Sequence, residues 1–565
     1  MVKIFLVLCS FRPYAKIRSG EQSRLLGSEE RRKREENLNY LGLRCIAPCT
    51  NDADTLSAFK DIAGTLSMIF GDKDLVPSDI VAGLIILSHV QSIERAAPTV
   101  ADSLNSRKTV FDSMGVSLVR VETENDINVC FEMIGSNDRM SLDWTNVKHY
   151  YKFAAASYGY MWWMMQAPVT HCCKMGYYLQ CCNCCRNSES LFIEGDGVFK
   201  PNYSAIKAML NIDDKDVIVF DNRNMIEEVP FLLLADKETK SLVISIRGTL
   251  SLHDMLTDLR SESSVFLENH PDWTGHQGMV NAANYVLKRL HGQETGREQR
   301  ISSGRGGSNR NSRTGQRPKD ILNCSLTDPE YEGYDIVVTG HSLGAGTATI
   351  LAFLLRDKYP QTKVTCYAYS PPGGLLSLAA SKESEKFAVS VVVGDDVIPR
   401  LSLPNIGALS KDIKQAITMC QLPKYQIFGY GCMACCFNRR EIKPLYEELE
   451  RLQLSLTSNN TESGLDAVLN NSHEELLSSP PLSASSTEHP PSVINLLSKP
   501  PMYLPGRVLH ITEAPGSSYS VSEQDKFQYN KILVSPTMLT DHFPNSLNEV
   551  LQSCPDSMNV LPILV

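Results

Sequence analysis

The chain has 565 residues, 42% of them hydrophobic and 21% charged, with a formal net charge of −9 at pH 7. That length exceeds one ordinary domain and supplies ample core, so one large domain with an extra region and insertions is the expected organisation. An acidic balance excludes nucleic acid as a partner of the whole chain.

The start, MVKIFLVLCSF, is too short for a membrane span and shows no clear cleavage site, although it fits the stub of a longer span. The run RRKREE at 31–36 fits a solvated helix face, with a juxtamembrane segment touching anionic lipid as the alternative. Apolar residues recur at helical spacing over 54–71 and 78–91, so residues 1–150 read as a mainly helical region that carries no catalytic motif. Segment 150–169, YYKFAAASYGYMWWMMQAPV, is aromatic, Met-rich and free of charge after Lys152. It reads equally as a buried helix flanking a core or as an interfacial segment with Trp and Tyr at lipid headgroup level. Residues 151–228 are therefore expected to be membrane-proximal. The chain's 17 cysteines are odd in number and bunch here as Cys172, Cys173, Cys181, Cys182, Cys184 and Cys185, then again as Cys432, Cys435 and Cys436. Adjacent pairs make a poor disulfide framework and point to a reducing compartment, with palmitoylation as the alternative use. No His-Cys spacing of structural-zinc form surrounds CCNCC, so no metal site is expected.

From 229 the pattern changes to strands alternating with helices, with candidate strands at 231–236, 241–248, 334–340, 363–370 and 387–394. This is the signature of an α/β sheet and defines a third region, 229–565. Two stretches interrupt it. Residues 293–319 are rich in Gly, Arg, Ser and Asn without apolar periodicity, which predicts a disordered loop. A lone RGG in an acidic chain is a weak RNA signal. Residues 440–503 are rich in Ser and Pro, a composition suited to a lid, a regulatory loop with phosphosites such as Ser479 before Pro480, or a solvated excursion.

Residues 336–346, IVVTGHSLGAG, join a β-branched run to the apolar helix that follows through Gly340, Ser342, Gly344 and Gly346. Such a strand-to-helix turn is a nucleophile elbow, which exposes Ser342 above a sheet and implies a serine hydrolase. A triad then needs an acid and a histidine on later loops. The acid position follows the strand at 387–394, where Asp395 and Asp396 both stand. Among the downstream histidines, His473 and His489 fall in the Ser/Pro-rich stretch, and His510 ends the apparent strand PGRVLH. His542 follows KILV and precedes a helix, the place a loop-borne general base needs, and is the preferred base. Oxyanion donors are expected from the backbone N–H groups of Leu343 and of Thr249 in the turn after SLVISIR, with the stretch at 250–259 placed to cover the nucleophile.

Together RGT at 247–249, HQG at 276–278, GHSLGAG at 340–346, Asp396 to Pro399 and DH at 541–542 resemble the class 3 lipase family. VPSDIVAGLIIL, SLHDMLTDL, YSPPGGLLS, VIPRL and MLTDH are similar to its sn-1-specific diacylglycerol lipases, and the short tail after His542 resembles the beta branch. The resemblance implies an α/β-hydrolase fold and hydrolysis of diacylglycerol at sn-1. The products would be a fatty acid and 2-acylglycerols such as the endocannabinoid 2-arachidonoylglycerol. It also implies Ser342, Asp396 and His542 as the triad, which resolves the aspartate pair. Diacylglycerol and membrane lipid are then the implied partners, the cytoplasmic face of the plasma membrane the implied location, and the Ser/Pro-rich stretch a place for regulatory partners. The chemistry needs no cofactor. Calcium stimulation is implied by resemblance only, because no loop of calcium-binding spacing is present. The family begins with four transmembrane helices, which this sequence does not show. Two alternatives stay open: a lipase acting on triacylglycerol or phospholipid, and an inactive membrane-associated interaction protein.

Overall fold

The computed structural model describes residues 77–96, 139–166, 192–196, 201–224, 228–248, 263–292, 320–420, 501–514 and 518–555, with Leu422 and Ile427. The N-terminal stub, the periodic stretch at 54–71, the paired cysteines, the 293–319 insertion, and residues 440–500 of the 440–503 insertion lie outside these residues.

Eleven strands are described: β1 (Phe192–Glu194), β2 (Val217–Asp221), β3 (Phe231–Asp236), β4 (Ser241–Ile246), β5 (Ser263–Val265), β6 (Thr274–His276), β7 (Asp335–His341), β8 (Val364–Tyr369), β9 (Ala388–Val393), β10 (Arg507–Ala514) and β11 (Ser518–Gln524). Nine of them form one sheet in the order β1-β2-β3-β4-β7-β8-β9-β10-β11, while β5 and β6 make a separate ribbon. From β4 through β7, β8 and β9 to β10 every pairing is parallel, and β11 closes that edge antiparallel. On the other side β3 runs antiparallel to both β4 and β2. The carboxyl ends of β4, β7, β8, β9 and β10 therefore share one edge, where ligands bind in open α/β sheets.

Why the central strands read as unbroken apolar runs is visible in their neighbours: β3, β4 and β9 are buried at every position because both faces of the sheet are covered. One face packs Leu233, Ile244, Ile246, Ile336 and Val338 beneath two helices. These are the helix Gln277–Leu290 and the helix Leu343–Lys358. The opposite face packs Leu232, Leu234, Val243, Val337 and Val391 against an aromatic layer that includes Tyr150, Tyr151, Phe153 and Trp162. These residues belong to the helices Trp144–Ala156 and Tyr160–Gln166. Tyr150 stacks on Tyr367 with ring centroids 4.7 Å apart, and Tyr151 meets Tyr369 edge-on at 5.0 Å. The aromatic segment is thus chiefly core, with Tyr160 and Met161 left exposed.

In chain order the helices used below are α1 (Pro77–Ala96), α2 (Trp144–Ala156), α3 (Tyr160–Gln166), α4 (Pro201–Leu210), α5 (Gln277–Leu290), α6 (Leu343–Lys358), α7 (Leu403–Met419) and α8 (Pro544–Ser553). A third cluster joins Ala82, Ile86, Leu87 and Val90 of α1 to Ile413 and Ala416 of α7 and to Ile532 and Val534. The first helix is therefore docked on the same body as the sheet. No helix among the described residues is long and apolar enough to cross a membrane.

Three expectations need correction. The sheet begins at Phe192, ahead of residue 229: β1 has three residues, too few to show a period, and β2 adds only five more at Val217–Asp221. His510 does not end its strand; it sits within β10, which continues to Ala514. Residues 531–534 form no strand. Their backbone bonds instead go to a side chain: Val534 N–H donates to Gln91 Oε1 at 2.7 Å, and Gln91 Nε2 donates to the Ile532 carbonyl at 3.3 Å.

Candidate functional site

Strand β7 ends at His341, and α6 begins at Leu343, so Ser342 alone makes the turn between them. Its backbone has φ 59° and ψ −127°, a region ordinary residues avoid and functional turns hold. The turn is possible only if the helix can lie against neighbouring strands. A Cβ on Gly344 would come within 2.2 Å of the Ile246 carbonyl oxygen, so no larger residue fits there. Gly248 is equally constrained, since a Cβ would stand 2.1 Å from the Tyr158 hydroxyl and 2.3 Å from the His341 carbonyl oxygen. The chain leaving β4 therefore passes close beside the elbow.

The loop after β9 carries Asp396, which is fully buried. Its Oδ1 accepts from Ile398 N–H at 3.0 Å, which aims Oδ2 the other way. His542 Nδ1 lies 3.1 Å from that Oδ2, and His542 Nε2 lies 2.9 Å from Ser342 Oγ. With Nδ1–H donated to the carboxylate, Nε2 is left as the acceptor for the serine hydroxyl. Residues 342, 396 and 542 of the sequence thus meet in one hydrogen-bonded line. The start of α8 keeps His542 there: Trp162 Nε1–H donates to Asn545 Oδ1 at 2.7 Å, and the Tyr151 hydroxyl donates to the Pro544 carbonyl.

The other sequence candidates fall elsewhere. Asp395 points away, with both carboxylate oxygens 2.7 Å from Arg95 Nη1. His510 Nε2 lies 2.7 Å from the Gly394 carbonyl oxygen, so it braces the residue at the head of the acid loop. Leu343 opens α6, where a first-turn N–H has no acceptor within its own helix and can face an oxyanion. Thr249, the stretch at 250–259, His473 and His489 lie outside the described residues.

Two residues of the site gave no signal in the sequence. His341 is buried, its Nδ1 lies 2.7 Å from the Tyr158 hydroxyl, and its ring sits 4.8 Å from that of His542. Burial holds its imidazole well below the usual histidine range, with the neighbouring His542 pushing in the same direction. It therefore stays neutral near pH 7 and adds no second positive charge when His542 takes a proton. Tyr158 comes from the turn after α2, far from Ser342 in the chain, so only the folded contact reveals it.

One His/Asp/Glu group among the described residues, His149, Asp236 and Glu238, is compact enough to suggest a metal. It lies at the turn from β3 to β4, the opposite end of the sheet from Ser342. His149 Nε2 is committed to Asp236 Oδ2 at 2.6 Å, and its Nδ1 faces Glu238 at 3.6 Å, so the ring bridges two carboxylates. That set does not fit calcium, which takes six to eight oxygen ligands.

The class 3 lipase family model matches residues 243–406, the stretch that holds the elbow and the Asp396 loop. Human diacylglycerol lipase-alpha is 31% identical over 536 residues, covering 90% of this chain and 45% of the relative. Mouse diacylglycerol lipase-beta is 32% identical over 520 residues, covering 90% of this chain and 67% of the relative. A secreted mono- and diacylglycerol lipase A of Penicillium cyclopium is 37% identical over 90 residues, 16% of this chain and 28% of that protein. The chain spans about half the length of the alpha relatives, and identities of 31% and 32% do not separate the two forms. With its mixed sheet, elbow and these relatives, the chain belongs to the class 3 lipase family, in the group of the diacylglycerol lipases, and has the α/β-hydrolase fold.

Proposed function

We propose that this protein is a serine lipase that hydrolyses the sn-1 ester of diacylglycerol, with Ser342 as nucleophile, His542 as general base and Asp396 as the acid that orients it. The observation that carries the reading is the line Ser342 Oγ, His542 Nε2, His542 Nδ1, Asp396 Oδ2, at 2.9 and 3.1 Å, assembled from three separate loops. Ser342 Oγ attacks the acyl carbonyl while its proton passes to His542 Nε2, and Asp396 steadies the imidazolium. Backbone N–H groups of Leu343 and Thr249 take the oxyanion charge. Collapse expels the glycerol oxygen, which takes the proton from His542 and leaves as 2-acylglycerol. Water then attacks the acyl-serine, gives its proton to His542, and releases a fatty acid with Ser342 restored. Three side chains, two backbone donors and water complete the cycle without a cofactor.

A substrate held in lipid requires the enzyme to work at a lipid surface. In support, Phe543 follows His542 directly and is 48% exposed, and Met161 on α3 is 55% exposed. Helix α3 is tied to the start of α8 through the Trp162–Asn545 bond, so these apolar side chains flank the base loop. Membrane association at the cytoplasmic face, calcium stimulation, the role of the product as an endocannabinoid, and regulatory partners at 440–503 belong to this same reading.

Defined 1,2-diacylglycerols with distinct acyl chains at sn-1 and sn-2 test the specificity, with Ser342→Ala as the blank. The reading predicts that the sn-1 acid is released first and that 2-acylglycerol accumulates. Release of the sn-2 acid, or preferential turnover of triacylglycerol or phospholipid, would overturn it.

A further inference from the structure

Gln91 and Arg95 stand four residues apart near the end of α1, a helix that contributes no group to the Ser342–His542–Asp396 line; Gln91 reaches the segment that leads to His542, and Arg95 reaches the loop that bears Asp396. The buried Gln91 side chain accepts from Val534 N–H at 2.7 Å and donates to the Ile532 carbonyl at 3.3 Å, so it holds the approach to His542 where no strand does. Arg95 Nη1 lies 2.7 Å from each oxygen of Asp395, the neighbour of Asp396. Arg95 Nε is tied back to the Gln91 carbonyl at 3.3 Å. Asp395 in turn donates its backbone N–H to Asp541 Oδ2 at 2.9 Å, and Asp541 precedes His542. A further rung joins Val397 N–H to the Met538 carbonyl at 3.0 Å.

We propose that α1 is a positioning element for the acid–base pair, with Gln91 and Arg95 as positioning residues that set the spacing between the Asp396 and His542 loops. This rests on the triad reading above. Both loops are irregular, so their relative placement is not fixed by sheet pairing, and small displacements of a general base are costly to rate. Neither side chain touches the reacting atoms. Their effect is transmitted through Asp395, Asp541 and the backbone at 532–534.

The test compares wild type, Arg95→Ala, Arg95→Lys, Asp395→Asn and the Arg95→Ala/Asp395→Asn double variant. All are assayed on a short soluble p-nitrophenyl ester, with active sites titrated by a fluorophosphonate so that misfolded protein does not count. Arg95→Ala should lower kcat per titrated site about tenfold, a part of what a well-placed general base contributes, with KM changed less than about twofold because acyl binding is untouched. Arg95→Lys should recover part of the loss, since it keeps the charge and one bond. The double variant should be no slower than Asp395→Asn alone, because both act through one link. Gln91→Ala should lower kcat per site in the same way.

Wild-type kcat per site in Arg95→Ala would overturn the proposal, as would losses that multiply in the double variant. A wild-type protein that does not react at Ser342 would overturn the triad reading and the proposal together. Wild type reactive at Ser342 with Arg95→Ala unimpaired removes the proposal alone.

Discussion

Ser342→Ala should lower kcat/KM on diacylglycerol by about 10^5-fold, roughly 7 kcal/mol of lost transition-state stabilisation. The loss is large because alanine leaves no oxygen for His542 Nε2 to deprotonate and no site for the acyl group, so only binding and the oxyanion donors remain. His542→Ala should lose nearly as much, and the double variant little more than either alone, since the two act as a unit across their 2.9 Å bond. The fold should tolerate the serine change. Ser342 contributes its strained backbone rather than packing, and a small residue can occupy the same turn. Steady-state kinetics on the purified variants, with circular dichroism as the folding control, check this. A Ser342→Ala protein with activity within tenfold of wild type would contradict the assignment.

Asp396→Asn is expected to cost about 10^4-fold in kcat, near 5.5 kcal/mol, with little change in KM. Asp396 is wholly buried and accepts from both Ile398 N–H and His542 Nδ1. An amide in its place can present an N–H toward Nδ1, which favours the wrong histidine tautomer and puts a proton on Nε2 where the serine proton must go. It also removes the negative charge that stabilises the imidazolium. The neighbouring Asp395→Asn serves as the contrast. Asp395 faces Arg95, so its loss should cost only about tenfold, in line with an effect on placement of the base rather than on its protonation. Equal losses at 395 and 396 would contradict this division of roles between the two aspartates.

Much of the fold could be read from the chain because the central strands are buried on both sides. FLLLAD at 231–236 coincides with β3, and the runs at 241–248, 334–340, 363–370 and 387–394 differ from β4, β7, β8 and β9 by a residue or two at their ends. A strand covered on both faces must be apolar throughout, and that signal survives without any knowledge of its partners. The glycines around Ser342 were legible for a related reason, since the close approach of Gly344 to the Ile246 carbonyl forbids any side chain.

What stayed hidden depends on contacts between distant parts of the chain. Nothing local marks Gln91 as the partner of a backbone more than 400 residues away, or Arg95 as the partner of Asp395. KILV at 531–534 has strand composition, yet Ile532 and Val534 pack against α1 while Gln91 takes the hydrogen bonds a neighbouring strand would have made. The aromatic run at 150–169 has a composition suited either to lipid or to a core. Its burial follows from the rings of Tyr367 and Tyr369 on β8, which the run itself does not reveal. His510 and His542 could be ranked only by the elements around them. The deciding difference is that one ring turns to the Gly394 carbonyl and the other to Ser342.

The central claim is that one serine hydroxyl, activated by His542, attacks the acyl group. Treatment of the folded protein with a fluorophosphonate, followed by peptide mass spectrometry, tests it most directly. A single covalent adduct on the peptide containing Ser342, lost in Ser342→Ala and strongly slowed in His542→Ala, is the predicted result. An adduct on a different serine, or an intact protein that the reagent leaves unmodified, would contradict it.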